Sequence, residues 1–256
     1  MKKLLFIGDV VGRPGCDFLI EKLGGIKRQH GIDITIVNGE NSAQGNGITA
    51  ASADMLVRAG ADVITTGNHA FRRKEAADIF EEDYIVRPAN YPEGGCVGSG
   101  VRIIDMGAFS AAVINLMGTV YMDPLDNPFT KIDRLLEEID TPNIFVDFHA
   151  EATSEKKAMG FYLAGRVTGV FGTHTHVQTA DECILDGHTA YITDVGMVGP
   201  ERSCLGIEPA LTIDMLRYRM PVRFSVADGP CFICGTIVDF DEKKGISHKI
   251  ERIIIR

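Results

Sequence analysis

Positive charge is in short supply in this chain. Its 256 residues carry 26 Lys and Arg against 35 Asp and Glu, a net charge of −9. A long nucleic acid is therefore not an expected partner, because proteins that bind one concentrate basic residues on a surface. A single small phosphate ester, held by one local cationic centre, stays compatible. Long apolar runs are missing too. No segment approaches the roughly 20 apolar residues of a membrane span. Leu4–Ile7 follows Lys2-Lys3 as in a secretory signal but stops at Gly8-Asp9, short of the roughly 7–15 apolar residues a signal uses. The six cysteines (16, 96, 183, 204, 231, 234) are scattered in a chain too long to need disulfide staples, which points to a reduced, cytoplasmic protein. No Ser/Pro-rich tract, charge run or internal repeat marks a boundary, so residues 1–256 are expected to form one domain. With 45% hydrophobic and 24% charged residues, the chain can bury a sizeable core and is not disordered.

Apolar runs and helical patterns alternate along the first half. Leu4–Gly8, Ile34–Val37 and Asp62–Thr65 read as buried strands. Between them, Cys16–Arg28 puts Phe18, Leu19, Leu23 and Ile26 on one helical side, and helices are expected at Ala50–Ala59 and around Arg73–Phe80. The second half holds more strands: Val101–Met106, Ala111–Leu116, Ile144–Phe148, Val167–Phe171, Ala190–Thr193 and Cys231–Phe240. Helices are expected near Lys131–Ile139, Glu155–Leu163 and Glu208–Arg217. Such alternation predicts an α/β fold with a mainly parallel sheet covered on both faces. Gly118–Thr130 and Val195–Leu205 read as long polar loops.

Polar chemistry sits where the strands stop. The first ends in Gly8-Asp9, the second in Asn38-Gly39-Glu40-Asn41 and the third in Gly67-Asn68-His69. Ile144–Phe148 ends in His149, and Val167–Phe171 runs into Gly172-Thr173-His174-Thr175-His176. Open α/β sheets bind ligands at the carboxyl ends of their strands, so these residues should meet. His174 and His176, two apart, would point to one side of an extended segment. Asp9, Glu40, Asn41, Asn68, His149, His174 and His176 make a mixed N/O set suited to Fe, Mn or Zn rather than Ca or Mg. Seven ligands suit two ions sharing a carboxylate, the arrangement that clamps attacking and leaving oxygens at phosphorus. Two divalent ions (about +4), Asp9 and Glu40 (about −2) and a bridging hydroxide (about −1) leave about +1, which a phosphodiester would neutralise. His69 at the rim is then the candidate general acid for the departing alkoxide.

The residues Gly67-Asn68-His69, the isolated His149 and His174-Thr175-His176 resemble the ligand motifs of calcineurin-like metallophosphoesterases. Two positions depart from the general pattern: Val11 stands where histidine is usual, and Glu40 where the bridging aspartate is usual. These departures, with Gly8-Asp9-Val10-Val11-Gly12-Arg13-Pro14-Gly15, Arg87-Pro88-Ala89-Asn90-Tyr91-Pro92 and Thr193-Asp194-Val195-Gly196-Met197, resemble the YmdB-like phosphodiesterases from end to end. The resemblance implies an α/β sandwich of mixed sheets flanked by helices. It implies one metal site of Asp9, Glu40, Asn41 and His176 and a second of Glu40, Asn68, His149 and His174, with His69 as proton donor. It further implies iron or manganese, hydrolysis of cyclic nucleotides (2′,3′ or 3′,5′), and a homo-oligomer, dimer or tetramer. Ala70 stands where an acid often orients the histidine, so another group must hold His69.

Two other readings compete. His149-Ala150-Glu151 with Pro230-Cys231-Phe232-Ile233-Cys234 imitates a zinc nucleobase deaminase. Residues three apart on a strand face opposite sides, however, and that reading leaves Asp9, Glu40, Asn68 and the His174/His176 pair without a task. Gly8-x-x-x-Gly12-x-x-Gly15 opening a helix would suit a non-catalytic nucleotide-binding module, but it lacks the Gly-x-Gly-x-x-Gly order and needs no histidine cluster. Asp194 is expected to orient a ligand histidine or cap a turn. Arg13 is read as solvated or structural, and His30, His188 and His248 as surface residues.

Overall fold

The computed structural model describes residues 1–44 and 46–256. In chain order its strands are β1 (Lys2–Ile7), β2 (Asp9–Val10), β3 (Ile34–Asn38), β4 (Val63–Thr65), β5 (Val101–Asp105), β6 (Ser110–Met117), β7 (Ile144–His149), β8 (Gly169–Thr173), β9 (Cys183–Leu185), β10 (Thr189–Ile192), β11 (Met197–Pro200), β12 (Cys231–Asp241) and β13 (Ile246–Ile255). The helices are α1 (Gly12–His30), α2 (Ala50–Ala59), α3 (Ala76–Ile79), α4 (Pro128–Glu138), α5 (Thr153–Leu163) and α6 (Pro209–Tyr218).

The strands form two mixed sheets. One runs β2-β11-β12-β1-β3-β4, with β13 added to β12, and the other β5-β6-β7-β8-β10-β9. β1, β3 and β4 are mutually parallel, as are β6, β7, β8 and β10, while β12 is antiparallel to each of its partners. Alternate residues explain the continuous apolar runs, because both faces of each central strand are buried. Leu4 and Phe6 of β1, Ile34 and Ile36 of β3, and Val63 of β4 point into the space between the sheets, against Val113, Phe145 and Phe171. Phe6 and Phe171 stack there with centroids 4.6 Å apart. The intervening Leu5, Ile7 and Val37 turn outward onto Leu19 and Leu23 of α1 and Leu56 of α2. On the other sheet, Val146 and Phe148 turn outward onto Ile132 of α4 and Met159 and Leu163 of α5. The expected sandwich of mixed sheets flanked by helices is the observed architecture. Among the described residues no helix is long and apolar enough to cross a membrane.

Toward the carboxyl edge the inward positions change character. After Ile36 comes Asn38, after Val63 Thr65, after Phe145 Asp147 and after Phe171 Thr173, all fully buried. A polar layer thus closes the apolar core just beneath the strand ends.

Several elements differ from expectation. Val195–Leu205 is not all loop: Met197–Pro200 is the buried strand β11, inserted between β2 and β12. The helix around Arg73–Phe80 shortens to Ala76–Ile79, and the Arg73 guanidinium bonds the carbonyls of Gln44 and Asn46. β9 and β13 are strands where none was expected.

Candidate metal centre

The donors arrive from both sheets. Asp9 lies on β2 directly after β1, Glu40 and Asn41 follow β3, Asn68 and His69 follow β4, His149 ends β7, and His174 and His176 follow β8. Glu40 lies in the middle of the set. Its Oε2 is 3.2 Å from His149 Nε2, and its Oε1 accepts from Asn41 Nδ2 at 2.9 Å and lies 3.1 Å from His69 Nδ1. His149 Nε2 also lies 2.9 Å from Asn68 Oδ1 and 3.0 Å from His174 Nδ1. One ligand atom each from Glu40, His149 and His174 falls within 4.8 Å of the other two. The second group is adjacent: His176 Nε2 is 3.6 Å from Asp9 Oδ1 and 3.2 Å from the Asn41 amide nitrogen. All seven expected donors are brought together.

Each ring is held from behind. His149 Nδ1 meets Thr173 Oγ1 at 2.9 Å, His174 Nε2 meets Glu151 Oε2 at 3.0 Å, and His176 Nδ1 donates to the Leu205 carbonyl at 3.1 Å. In each case the opposite ring nitrogen faces the cluster, the arrangement that fixes a metal-binding imidazole. Glu151 therefore has a place at this centre that the sequence offered only under the deaminase reading. Gly67 makes the close approach possible, because a Cβ there would overlap the Glu40 carboxylate and the His149 ring.

The histidine pair is not on an extended segment. β8 stops at Thr173, and His174 and His176 take φ of 102° and 64°, a left-handed backbone costly for residues with a Cβ. Asp194 holds it. Its Oδ2 accepts from the Thr175 amide at 3.0 Å, the Thr175 hydroxyl at 2.8 Å and the buried Lys156 ammonium at 2.7 Å, while Oδ1 accepts from Gly196 N at 2.8 Å. Asp194 thus orients the loop between the two histidines rather than either ring. His69 gets its support from the cluster, since its Nδ1 lies 3.1 Å from both Glu40 Oε1 and Asn41 Oδ1. Those contacts do what an acid at position 70 would do.

The buried carboxylates of the cluster are held ionised by the imidazoles around them. Burial raises the Glu40 carboxyl, yet His149 and His69 bring it well below the carboxylate range. Burial likewise works against the Asp9 carboxylate, and His176 and His149 reverse it, leaving the group below its ordinary value. Burial would keep His149 neutral, but Glu40 and Asp9 lift it to about 9, while burial and the neighbouring His149 push His174 down to about 4. Among the described residues Asp9 Oδ1 is buried with no hydrogen-bond partner, an uncommon state for a carboxylate. An orphaned carboxylate oxygen beside imidazole nitrogens fits divalent cations of the mixed N/O class.

The competing sites do not form. Neither Cys231 nor Cys234 joins the group around His149 among the described residues, and burial pushes the Cys234 thiol up to about 11, whereas zinc takes thiolates. The glycines at 8 and 15 serve packing: a Cβ on either would run into the β11 segment, at the carbonyls of Gly196 and Val198. Arg13 pairs with Asp17 on the exposed face of α1.

This sandwich, with its donors at strand ends, has the fold of a calcineurin-like phosphoesterase. Among solved structures, the calcineurin-like phosphoesterase YfkN from Bacillus subtilis superposes with a TM-score of 0.58 over 99% of this chain and 90% of its own, at 11% identity, a likeness of fold. A novel phosphatase from Mycoplasma pneumoniae superposes with a TM-score of 0.94 at 34% identity, over 99% of this chain and 93% of that one. A curated relative, the 2′,3′-cyclic-nucleotide 2′-phosphodiesterase of Bacillus subtilis (strain 168), is 48% identical over 99% of this chain and 97% of its own length. The model of the YmdB-like protein family matches residues 5–253. The chain belongs to the YmdB-like family.

Proposed function

We propose that this protein hydrolyses 2′,3′-cyclic nucleotides at a centre holding two divalent ions, iron or manganese, with zinc also suited to the donors. The observation that carries this reading is the convergence of seven N/O donors around Glu40 and Asp9, with Asp9 Oδ1 buried and, among the described residues, unpartnered. The choice of 2′,3′ over 3′,5′ substrates is supported by the 48% identical relative, a 2′,3′-cyclic-nucleotide 2′-phosphodiesterase. Asp9, Asn41 and His176 would hold one ion, Asn68, His149 and His174 the other, and Glu40 both. Ions bound there supply Lewis acidity toward the phosphodiester and an activated water. Asn41 and Asn68 add donors without adding negative charge, so the site keeps its attraction for a phosphate monoanion. His69, partly exposed and oriented by Glu40 and Asn41, protonates the 2′ oxygen as its bond to phosphorus breaks and water oxygen takes its place. The product is the 3′-phosphate monoester.

Incubation with 2′,3′-cyclic AMP and 3′,5′-cyclic AMP, with and without chelator and alongside metal analysis, tests this. Expected are chelator-sensitive opening of the 2′,3′ ring and two ions per chain. Turnover that survives complete metal removal would defeat the proposal, and faster turnover of the 3′,5′ substrate would defeat its specificity. We also propose a homo-oligomer, dimer or tetramer. It is supported by α6, which buries no residue and leaves Ile213, Leu216 and nearby Met220 each more than half exposed. A monomeric mass by light scattering at micromolar concentration would refute it.

A further inference from the structure

We propose that Asp147, which lies beneath the cluster and touches none of its open face, is a positioning residue that sets the geometry of both His149 and Glu40. Its carboxylate is fully buried in the polar layer between the sheets. The directions of the hydrogen bonds around it are forced. A hydroxyl has one hydrogen to give, and Thr173 Oγ1 lies 2.7 Å from Asp147 Oδ1, which in its ionised state can only accept. Thr173 Oγ1 is therefore an acceptor toward His149 Nδ1 at 2.9 Å. Nδ1 must carry a hydrogen, and Nε2 is the nitrogen turned to Glu40, Asn68 and His174. Were Asp147 absent, the Thr173 hydroxyl could rotate and donate to Nδ1 of the neutral ring that binds a cation, placing the hydrogen on the nitrogen that faces the cluster.

The other oxygen acts on the opposite sheet. Asp147 Oδ2 accepts from Asn38 Nδ2 at 2.9 Å and from the Thr65 hydroxyl. Anchoring the Asn38 amide nitrogen turns its Oδ1 toward the Glu40 main-chain N–H, which it accepts at 3.1 Å. One carboxylate thereby ties β3 and β4 to β7 and β8, and Glu40 to His149, before any ion arrives. Groups that orient metal-binding side chains in this way typically carry 10–100-fold of the metal affinity. The inference rests on the proposed function only in taking the cluster as the seat of a cation.

The test uses the full chain with ¹⁵N-labelled histidine and three variants, Thr173→Val, Thr173→Ser and Asp147→Asn. The first readout is the downfield Nδ1–H proton of His149 in metal-free protein. It is expected in the wild type and in Thr173→Ser, and lost or moved upfield in Thr173→Val. The second is Mn²⁺ affinity by calorimetry, expected to fall 10–100-fold in Thr173→Val and Asp147→Asn and to stay within a few-fold in Thr173→Ser. An unchanged Nδ1–H signal with unchanged affinity in Thr173→Val would overturn the proposal, as would Thr173→Ser failing like Thr173→Val. Should Thr173→Val not fold, the wild-type spectrum decides, because absence of the protected Nδ1–H signal overturns the assignment. A wild type that binds no Mn²⁺ would sink the proposed function while leaving the spectral test of Asp147 intact.

Discussion

The Lys156–Asp194 pair offers the sharpest test of how the histidine loop is held. Both side chains are buried, at 2% and 1% exposure. Removing one partner of such a pair strands a charge in the interior and costs about 3–5 kcal/mol. Entropy of unfolding scales at about 2.1 cal/mol/K per residue. For this chain that is about 0.5 kcal/mol/K, so Lys156→Met should lower the melting temperature by about 6–9 °C. An ordinary buried ion pair can be replaced whole by apolar groups at little cost. This one cannot, because Asp194 also takes the backbone N–H groups of Thr175 and Gly196. Each buried N–H left unpaired costs about 1–3 kcal/mol. The double variant Lys156→Met/Asp194→Leu should therefore remain at least 2 kcal/mol below wild type, measured by denaturant unfolding with chelator present so that metal linkage does not enter. It should also bind Mn²⁺ more weakly, because the left-handed backbone at His174 and His176, about 1–3 kcal/mol each, would be free to relax. Lys156→Met alone should keep near-normal affinity, since the carboxylate still holds Thr175. A double variant as stable as wild type would show that the carboxylate serves the lysine and not the loop.

Three further outcomes are expected. Glu40→Ala should abolish uptake of both ions along with activity; a full metal complement by elemental analysis would disprove the shared-carboxylate assignment. His69→Gln should keep its ions yet lose 10²–10⁴-fold in kcat, whereas metal loss would make His69 a ligand. Asp181 should contribute to stability in a pH-dependent way. Burial raises its carboxyl, but hydrogen bonds from Thr193 and Thr179 and the Lys157 ammonium bring it down to about 2, from an ordinary 3.8. A depressed carboxyl stabilises the fold above its unfolded value and loses that contribution as pH falls through the folded one. Asp181→Asn should thus be less stable than wild type at neutral pH, and the gap should close between about pH 4 and 2; a gap constant across that range would contradict the assignment.

The donors could be read from the sequence because each stands where a buried apolar run breaks into Gly and polar residues. A central strand must end at the sheet edge, so the break also gives the location. The supporting residues were harder to see. Thr65 and Thr173 are the last residues of β4 and β8, and Asp147 lies two residues before the end of β7; without a partner in view a polar residue there is indistinguishable from the strand terminus. Glu151 sits two residues after His149, and only the turn after β7 brings it to His174. β11 was hidden because Gly196, Gly199 and Pro200 read as loop, whereas those glycines admit the close packing of Cys234 on β12 and of Val11. β13, with charges interleaved among its isoleucines, takes its place from pairing with β12 across a short turn, a long-range fact that no local pattern carries.

The spread of the donors along the chain has a consequence for biosynthesis. The first and last, Asp9 and His176, are 167 positions apart, and they meet only when β2 and the turn after β8 are both in place. A nascent or truncated polypeptide ending before that turn lacks His174 and His176 and cannot complete either half of the cluster. Loading with ions must therefore follow translation of at least two thirds of the molecule, and proteolytic fragments of the amino-terminal half should neither retain metal nor cleave phosphodiesters.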